Sequence, residues 1–405
     1  MSEGIGASVQ RKEDKKFLTG KGRYTDDINR PGQTHAYFVR SDVAHANIKS
    51  IDTKAASAAS GVVAVYTGED VAADGIGGPI CGWVVPCRDG SPTKEPPHPI
   101  LANGKVRYVG DHVAVVIAET LAQAKSAAEL VEVEYEELPA VVDLETASSS
   151  AEIHKEVPDN CYFDWELGDE ASTDKALKSA SRVIKLQVKN NRLVPNAMEP
   201  RAALAEYDDI SESYTLHTTS QNPQLTRLVI AAFMFQIPES KLRVVAPDVG
   251  GGFGSKIYVY AEEAVCTWAS KKINRPIKWT ADRTQAFLSD AHGRDHINNV
   301  QLALDDHNKI VGLRVDTICN LGSYLSAFAV SVPTYLHGTL LSGVYDIPAI
   351  YTNVKGMATT TAPVDAYRGA GRPEATYLLE RTMDAAAREV GMDPTEFRRL
   401  NFIPK

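Results

Sequence analysis

The residues of this sequence best suited to chemistry form a glycine-rich stretch at 249–256, which reads VGGGFGSK. A strand-like run at 242–246 precedes this stretch, and a helical pattern follows it. Glycines between a strand and a helix allow positive φ angles and bring backbone N–H groups close to an anionic or polar ligand. The pattern therefore predicts a binding loop, with a tight strand-to-helix turn as the alternative.

Two common nucleotide-binding patterns do not match this glycine loop. The phosphate-loop pattern G-x-x-x-x-G-K-[ST] fails because Ser255 separates Gly254 from Lys256. The dinucleotide pattern G-x-G-x-x-G, started at Gly250, fails because its last position is also Ser255. A nucleotide-binding dehydrogenase is therefore the weakest of the functional hypotheses.

Two further segments place polar groups beside glycines or prolines. They are SQNP at 220–223 and DAYRGAGRPE at 365–374. Together with the glycine loop, they resemble the large subunits of the xanthine oxidase and aerobic carbon monoxide dehydrogenase family. The stretches LTGKGRY at 18–24, VEVEYEELP at 131–139 and MEPR at 198–201 also fit, so the resemblance covers nearly the whole chain.

The resemblance implies that a molybdenum–molybdopterin cofactor, in a pterin dinucleotide form, binds between these segments. Molybdenum is held by the dithiolene of the pterin, so no side chain of this protein is expected to ligate it. Gln221 is the expected catalytic residue, because it matches the glutamine that hydrogen-bonds an oxygen ligand of molybdenum. The residues expected to contact the cofactor are Gln221, Gly251, Gly252, Phe253, Gly254, Tyr367, Arg368 and Gly369.

The chemistry implied by the resemblance is hydroxylation with water as the oxygen source. The glutamate that serves as the base in this family lies in a later molybdopterin-binding domain, and we find no equivalent here. We therefore expect a hetero-oligomer in which a C-terminal molybdopterin domain or subunit, an iron–sulfur subunit and an FAD subunit complete the enzyme. The FAD and 2Fe-2S clusters lie on those partners, and this chain alone is expected to show no turnover.

Three positions bear on the small-molecule substrate. Gly369 stands where the carbon monoxide branch has a copper-binding cysteine, while Ile257 and Ala370 replace a glutamate and a phenylalanine of the purine branch. These differences disfavour copper-dependent carbon monoxide oxidation and purine oxidation. Aldehydes, N-heterocycles and a carbon monoxide dehydrogenase-like role without the cysteine stay open. The alternative function is a non-catalytic cofactor-binding or assembly protein with the same fold.

The elements that must position these residues follow from local patterns. The segments 34–40, 61–66, 113–118 and 131–135 predict strands, and 121–130 predicts a helix after Thr120, so the first part has an α/β pattern. Later strands are predicted at 182–189, 214–218 and 241–245, and later helices at 224–235, 258–273 and 374–390. A small, polar stretch at 146–151 marks a domain boundary. The predicted fold is a mixed α/β (α+β) chain, with an α/β hammerhead domain at 1–145 and the first molybdopterin-binding domain at 146–405.

Composition excludes several other classes of function. The 405 residues carry a net charge of −9 without a basic stripe, which argues against nucleic-acid binding. No apolar run approaches the roughly 18 residues of a membrane span, and the first residues lack a secretory signal, so a cytoplasmic protein is expected. The five cysteines form no C-x-x-C pair and are odd in number, which predicts buried thiols and no iron–sulfur site on this chain.

Two pairs of polar residues have a simpler interpretation than chemistry. His292 and His296 have the i, i+4 spacing of helical metal ligands, but Gly293 and Asp295 weaken a helix, and a structural role is expected. Glu262 and Glu263 are expected on the solvated face of the helix after the glycine loop, where acidic residues favour a helix N-terminus.

Overall fold

The computed structural model describes residues 4–404, which form mixed sheets and helices. The strands are β1 Thr34–Arg40, β2 Ala46–Asp52, β3 Val62–Thr67, β4 Lys105–Val106, β5 His112–Ala118, β6 Glu132–Glu137, β7 Cys161–Gly168, β8 Arg182–Asn190, β9 Ala202–Asp208, β10 Ser213–Thr218, β11 Leu242–Val245, β12 Ile277–Thr280, β13 His296–Leu304, β14 Ile310–Gly322 and β15 Ile350–Ala358. The α-helices are α1 Asp14–Leu18, α2 Lys54–Ala58, α3 Gly68–Ala73, α4 Leu121–Ala128, α5 Glu170–Ser179, α6 Pro223–Leu228, α7 Ala261–Ile273, α8 Arg283–Ser289, α9 Tyr335–Gly338, α10 Arg372–Glu389 and α11 Pro394–Asn401.

A seven-stranded sheet in the order β11-β10-β9-β12-β1-β5-β3 is the largest in the described part of the chain. Every residue of β5 is buried, which explains its unbroken apolar sequence, because both faces of the strand are covered. β1 pairs antiparallel with β5 and parallel with β12. Strands from both sides of residue 145 therefore share one sheet, and the division of the chain at 145/146 stays a prediction.

A five-stranded sheet in the order β7-β15-β14-β13-β8 supports the second part of the chain. Helix α10 buries Leu378, Met383 and Ala386 in a core shared with Leu302 and Leu313 of this sheet. Because α10 begins at Arg372, this packing fixes the C-terminal end of the segment 365–374 that the sequence singles out. A small sheet in the order β4-β2-β6 completes the first part.

Most predicted elements appear where the sequence places them, and the differences lie at the ends of helices. The predicted helix at 224–235 is α6 followed by a π-helix at Val229–Met234. Helix α7 begins at Ala261 instead of 258, because Tyr260 is extended at the N-cap and its backbone N–H donates to Glu263. The three residues before Ala261 extend the glycine loop, whose path is consequently longer than a tight strand-to-helix turn.

The cysteines and histidines in the described part of the chain form no metal site and no disulfide bond. All five cysteines are free thiols, and four are buried. No group of three or more His, Cys, Asp or Glu residues within 4–404 could hold a metal ion. His292 lies beside Arg192, at 3.0 Å, while His296 begins β13, so the pair does not share a helix. None of the helices described is both long and apolar enough to cross a membrane.

His337 on α9 makes the stability of the protein sensitive to acid. Burial, with a smaller contribution from the neighbouring His296, lowers the pKa of its imidazole from 6.5 to about 3. Because the unfolded chain binds a proton near pH 6.5 and the folded chain does not, stability is present above that pH and lost as pH falls. A single site of this kind costs about 2 kcal/mol at pH 5.

When the pH falls from 7.5 to 5, the free energy of unfolding should decrease in both proteins. We expect this decrease to be about 2 kcal/mol smaller in His337→Gln than in the parent. Urea unfolding at both pH values measures this difference. The matched control is His307→Gln, because the side chain of His307 is 82% exposed and should leave the pH dependence unchanged. An identical pH dependence in His337→Gln and the parent would contradict the prediction.

Candidate active site

The three segments singled out by the sequence meet at the glycine loop. The side-chain oxygen Oε1 of Gln221 accepts hydrogen bonds from the backbone N–H groups of Gly254, at 2.9 Å, and Lys256, at 3.4 Å. On the other side of the loop, the N–H of Arg368 donates to the carbonyl oxygen of Phe253 at 2.8 Å. The loop is therefore held between the segments 220–223 and 365–371.

Two glycines of the loop are required by close approach. A Cβ atom on Gly252 would lie 2.2 Å from Oε1 of Gln221. A Cβ atom on Gly254 would lie 2.1 Å from the carbonyl oxygen of Ala366, and the φ of Gly254 is +113°. Side chains at these positions would separate the three segments, which gives the glycine pattern a physical reason beyond a simple turn.

The centre of the loop presents unused hydrogen-bond donors. The backbone N–H groups of Gly251, Gly252 and Phe253 donate to no acceptor within residues 4–404. Phe253 has a φ of 54°, a left-handed conformation that directs successive N–H groups to one side of the chain. Neighbouring N–H groups that point to one side of a loop form a concavity for anions, so the loop is suited to a polar or anionic ligand.

The backbone of Tyr367 and Arg368 is bound by Arg294, which forms a buried ion pair with Glu374. The guanidinium of Arg294 donates to the carbonyl oxygens of Tyr367, at 3.2 Å, and Arg368, at 2.9 Å. The same guanidinium pairs with Glu374 at 2.7 Å, and both partners are buried. Arg294 was missed by the sequence analysis, because an isolated arginine carries no local pattern that distinguishes it from a surface residue.

The segment before Tyr367 is fixed by Asp365. Its carboxylate accepts backbone hydrogen bonds from Phe328 at 2.9 Å and from Ala366 at 2.5 Å. Burial raises the pKa of Asp365 to about 6 despite these hydrogen bonds. The exposed Arg368 guanidinium lies 5.7 Å from the ring centroid of Phe253, so the two segments also meet through their side chains.

Glu262 and Glu263 are buried, and the prediction of a solvated pair is wrong. Glu262 is fully buried, and its carboxylate forms ion pairs with the guanidinium groups of Arg201, at 2.8 Å, and Arg40, at 2.7 Å. Burial alone would raise the pKa of Glu262, but Arg201, His112 and Arg40 together lower it well below its ordinary value. Glu262 faces Arg40 of β1 and His112 of β5, and Glu263 accepts a hydrogen bond from the hydroxyl of Thr218 at the end of β10.

The charge cluster around Glu262 also touches the glycine loop. Arg201 lies 3.7 Å from the ring centroid of Tyr260, and the hydroxyl of Tyr260 donates to the carbonyl oxygen of Ser255 at 2.6 Å. Arg201 binds Asp290 as well, at 2.6 Å. The buried charges therefore support the C-terminal end of the loop from the side of the large sheet.

The positions considered for substrate choice share one apolar cluster. Ile257 and Ala370 both pack against one cluster, whose buried members include Tyr258 and Val332. The buried carboxylate of Asp365 borders this cluster, because it accepts a hydrogen bond from the backbone N–H of Phe328. The side chains of Ile257 and Ala370 themselves therefore lie among apolar residues.

Comparison with known proteins agrees with this arrangement. A family model described as "Molybdopterin cofactor-binding domain" matches residues 153–402, and one described as "Aldehyde oxidase and xanthine dehydrogenase, a/b hammerhead domain" matches residues 19–139. The chain is 37% identical to the carbon monoxide dehydrogenase large chain of Hydrogenophaga pseudoflava, over 97% of this chain and 50% of that protein.

Two more relatives have comparable similarity. The chain is 34% identical to the nicotine 6-hydroxylase large subunit of Paenarthrobacter nicotinovorans, over 98% of this chain and 48% of that protein. The crystal structure of quinoline 2-oxidoreductase from Pseudomonas putida 86 superposes with a TM-score of 0.91 at 35% identity, covering 99% of this chain and 50% of that one. The chain thus spans about half the length of these three relatives.

The fold and the matched domains define a molybdopterin-binding protein, with a hammerhead domain followed by a cofactor-binding domain. The predicted fold class is confirmed. The chain belongs to the family of molybdenum hydroxylase large subunits. The unused N–H groups of Gly251, Gly252 and Phe253 fit a cofactor rich in hydrogen-bond acceptors.

Proposed function

We propose that this chain supplies the cofactor-binding loop of a molybdenum hydroxylase that oxidises an aldehyde or an N-heterocyclic carbon with water as the oxygen source. The observation that carries the proposal is the convergence of Gln221, the free N–H groups at 251–253 and the Tyr367–Arg368–Gly369 backbone. When bound, the molybdenum–pterin group supplies the redox chemistry, and the protein positions and polarises it.

Gln221 is proposed as the catalytic residue because its amide has a fixed orientation. Oε1 is held by the N–H groups of Gly254 and Lys256, so the amide nitrogen Nε2 is left as the donor. The side chain is exposed at the open side of the loop, and Nε2 has no acceptor within the described residues. This nitrogen is therefore suited to donate to an oxygen ligand of the metal, which is how neighbouring groups tune a metal site.

We propose that the remaining predicted residues contact the cofactor through their backbone. Gly251, Gly252 and Phe253 offer N–H groups, while Gly254 keeps the loop close to Gln221. The carbonyl oxygens of Tyr367 and Arg368 are occupied by Arg294, so this segment would face the cofactor through the other side of its backbone, including Gly369.

Ile257 and Ala370 offer neither the carboxylate nor the aromatic ring expected for purine oxidation, which disfavours a purine substrate. Gly369 has no thiol, which disfavours a copper-dependent carbon monoxide oxidase. Because the three relatives compared above are about twice as long, we propose that a C-terminal molybdopterin domain or subunit, an iron–sulfur subunit and an FAD subunit complete a hetero-oligomer. In this proposal the pterin is in dinucleotide form, the complex is cytoplasmic, and this chain alone is inactive.

The proposal is tested on the complex purified from a host that synthesises the cofactor. Molybdenum by elemental analysis and pterin by fluorescence after acid oxidation should each approach one equivalent per complex. Gln221→Leu should retain the cofactor and lose turnover of the best aldehyde or N-heterocycle by about 10–100-fold. The matched control is Gln187→Leu, an exposed glutamine on β8. A well-folded complex with neither molybdenum nor pterin would instead support the non-catalytic binding or assembly protein.

A further inference from the structure

Glu199 contacts both ends of the glycine loop. Its carboxylate oxygen Oε2 accepts a hydrogen bond from the N–H of Gly250 at 2.7 Å and from Nζ of Lys256 at 3.0 Å. Its backbone takes part as well, because its N–H donates to the carbonyl oxygen of Gly250 at 3.1 Å and its own carbonyl oxygen accepts from Lys256 at 2.7 Å. One residue therefore makes four contacts to the start and the end of one loop.

The contacts of Glu199 are enclosed. The side chain of Lys256 is 1% exposed and that of Glu199 is 14% exposed. The second carboxylate oxygen, Oε1, is buried and has no hydrogen-bond donor within residues 4–404. The charge of Glu199 is therefore compensated by Lys256 and by the N–H of Gly250, and removing Lys256 would leave this carboxylate in a site that cannot be rehydrated without opening the loop.

The spacing between the chain segments leaves little freedom at the start of the loop. A Cβ atom on Gly250 would lie 2.5 Å from Cβ of Glu199, so these backbones are as close as the glycine allows. Burial lowers the pKa of Lys256, while its pairing with Glu199 counteracts this effect and favours the charged ammonium. The ends of the loop are thus joined by short contacts through a single charged pair.

The free donors of the loop lie between these two fixed ends. Gly251, Gly252 and Phe253 have no acceptor in the described part of the chain, whereas Gly250 and Lys256 on either side are both bound to Glu199. When an array of N–H groups is already ordered before a ligand binds, less conformational entropy is lost on binding. Both ends of the array are bound, and its centre is open.

We propose that Glu199 and Lys256 are positioning residues that hold the loop in its cofactor-binding conformation before the cofactor arrives. The inference rests on the proposed role of the loop as the cofactor-binding site. The pair acts through the loop backbone and touches no reacting atom. Its loss should therefore increase the motion of residues 250–256 and the rate of cofactor release, with a smaller effect on the rest of the fold.

The experiment uses the full complex, with Glu199→Ala and Lys256→Met as variants and Glu119→Gln as the matched control. Glu119 makes an exposed pair with Arg275 at 2.7 Å. Two quantities are measured: molybdenum and pterin retained per folded complex during extended dialysis, and hydrogen exchange of peptides covering 249–256. We expect both variants to lose cofactor at least about tenfold faster than the parent and to exchange faster in this segment, with no change in the control.

The outcomes separate this inference from the proposed function. Parent-like cofactor retention and exchange in both variants would overturn the inference, while a parent that binds the cofactor would still uphold the proposed function. A parent without molybdenum or pterin would overturn the proposed function itself. If Glu199→Ala does not fold, Glu199→Gln keeps an oxygen for Gly250 and removes the ion pair. Faster exchange at 249–256 in that variant supports the inference, and unchanged exchange overturns it.

Discussion

Replacing Arg201 with methionine is expected to destabilise the protein by about 3–5 kcal/mol, because two buried carboxylates would lose their main cation. The guanidinium of Arg201 donates to both oxygens of Glu262, at 2.8 and 3.0 Å, and to Asp290 at 2.6 Å. Its side chain is 3% exposed, and that of Glu262 is fully buried. Methionine fills much of the volume but carries no donor, so the carboxylates must remain charged without this partner or become protonated.

Urea unfolding at neutral pH measures the loss of stability in Arg201→Met. The matched control is Arg275→Met, which removes an arginine that also makes two contacts to one carboxylate, at 2.7 and 2.8 Å, but at the surface. An exposed pair of this kind contributes about 0–1 kcal/mol. A loss in Arg201→Met as small as that of Arg275→Met would show that the Glu262 cluster does not stabilise the fold as described.

The segments that meet at the glycine loop could be identified from the sequence because they carry their constraints locally. Glycines at 250, 252 and 254 leave room for neighbouring segments, because a Cβ atom at any of these positions would lie within 2.5 Å of another residue. The Gln221 and Arg368 segments have equally distinctive local sequences. Strand β5 was predictable because a strand covered on both faces needs apolar residues throughout. The same holds for α10, whose apolar residues recur at helical spacing along the face that meets the sheet.

The buried charges of the site could not be predicted in the same way. Two glutamates in the first turn of a helix have the same local sequence whether they face water or, like Glu262, two arginines brought from distant strands. Glu199 and Lys256 are separated by 57 positions, and Arg294 and Glu374 by 80. No periodicity links residues so far apart, because their pairing is decided by how the sheets and loops pack.

The start of helix α7, and with it the length of the glycine loop, could not be predicted from local sequence either. Helical spacing predicts a helix from 258, but residues 258–260 are not helical, and the hydroxyl of Tyr260 contacts Ser255 and Ala291. The buried contacts of this tyrosine outweigh the local preference for helix. The carboxylate of Glu263 then accepts from the N–H of Tyr260, which starts the helix three residues later.

Gly254→Ala is expected to have the largest effect on cofactor binding of any single methyl group added to the loop. The φ of Gly254 is +113°, a conformation that L-residues rarely adopt, and the added Cβ would lie 2.1 Å from the carbonyl oxygen of Ala366. The backbone strain alone costs about 1–3 kcal/mol. The collision is with main chain and cannot be relieved by a rotamer change, so the loop must move away from Ala366. That movement would break the contacts of Gly254 with Gln221 and of Phe253 with Arg368.

The measurements for Gly254→Ala are molybdenum and pterin per folded complex, together with urea unfolding. We expect the cofactor content to fall more than about tenfold, because the variant separates the segments that we propose bind the cofactor. The matched control is Gly391→Ala, since Gly391 also has a positive φ, +70°, but a Cβ there would meet nothing within 4 Å. The control should lose about 1 kcal/mol of stability and keep its cofactor, because it carries backbone strain without a collision. Equal cofactor content in the two variants would mean that the close approach of Gly254 to Ala366 is not what shapes the site.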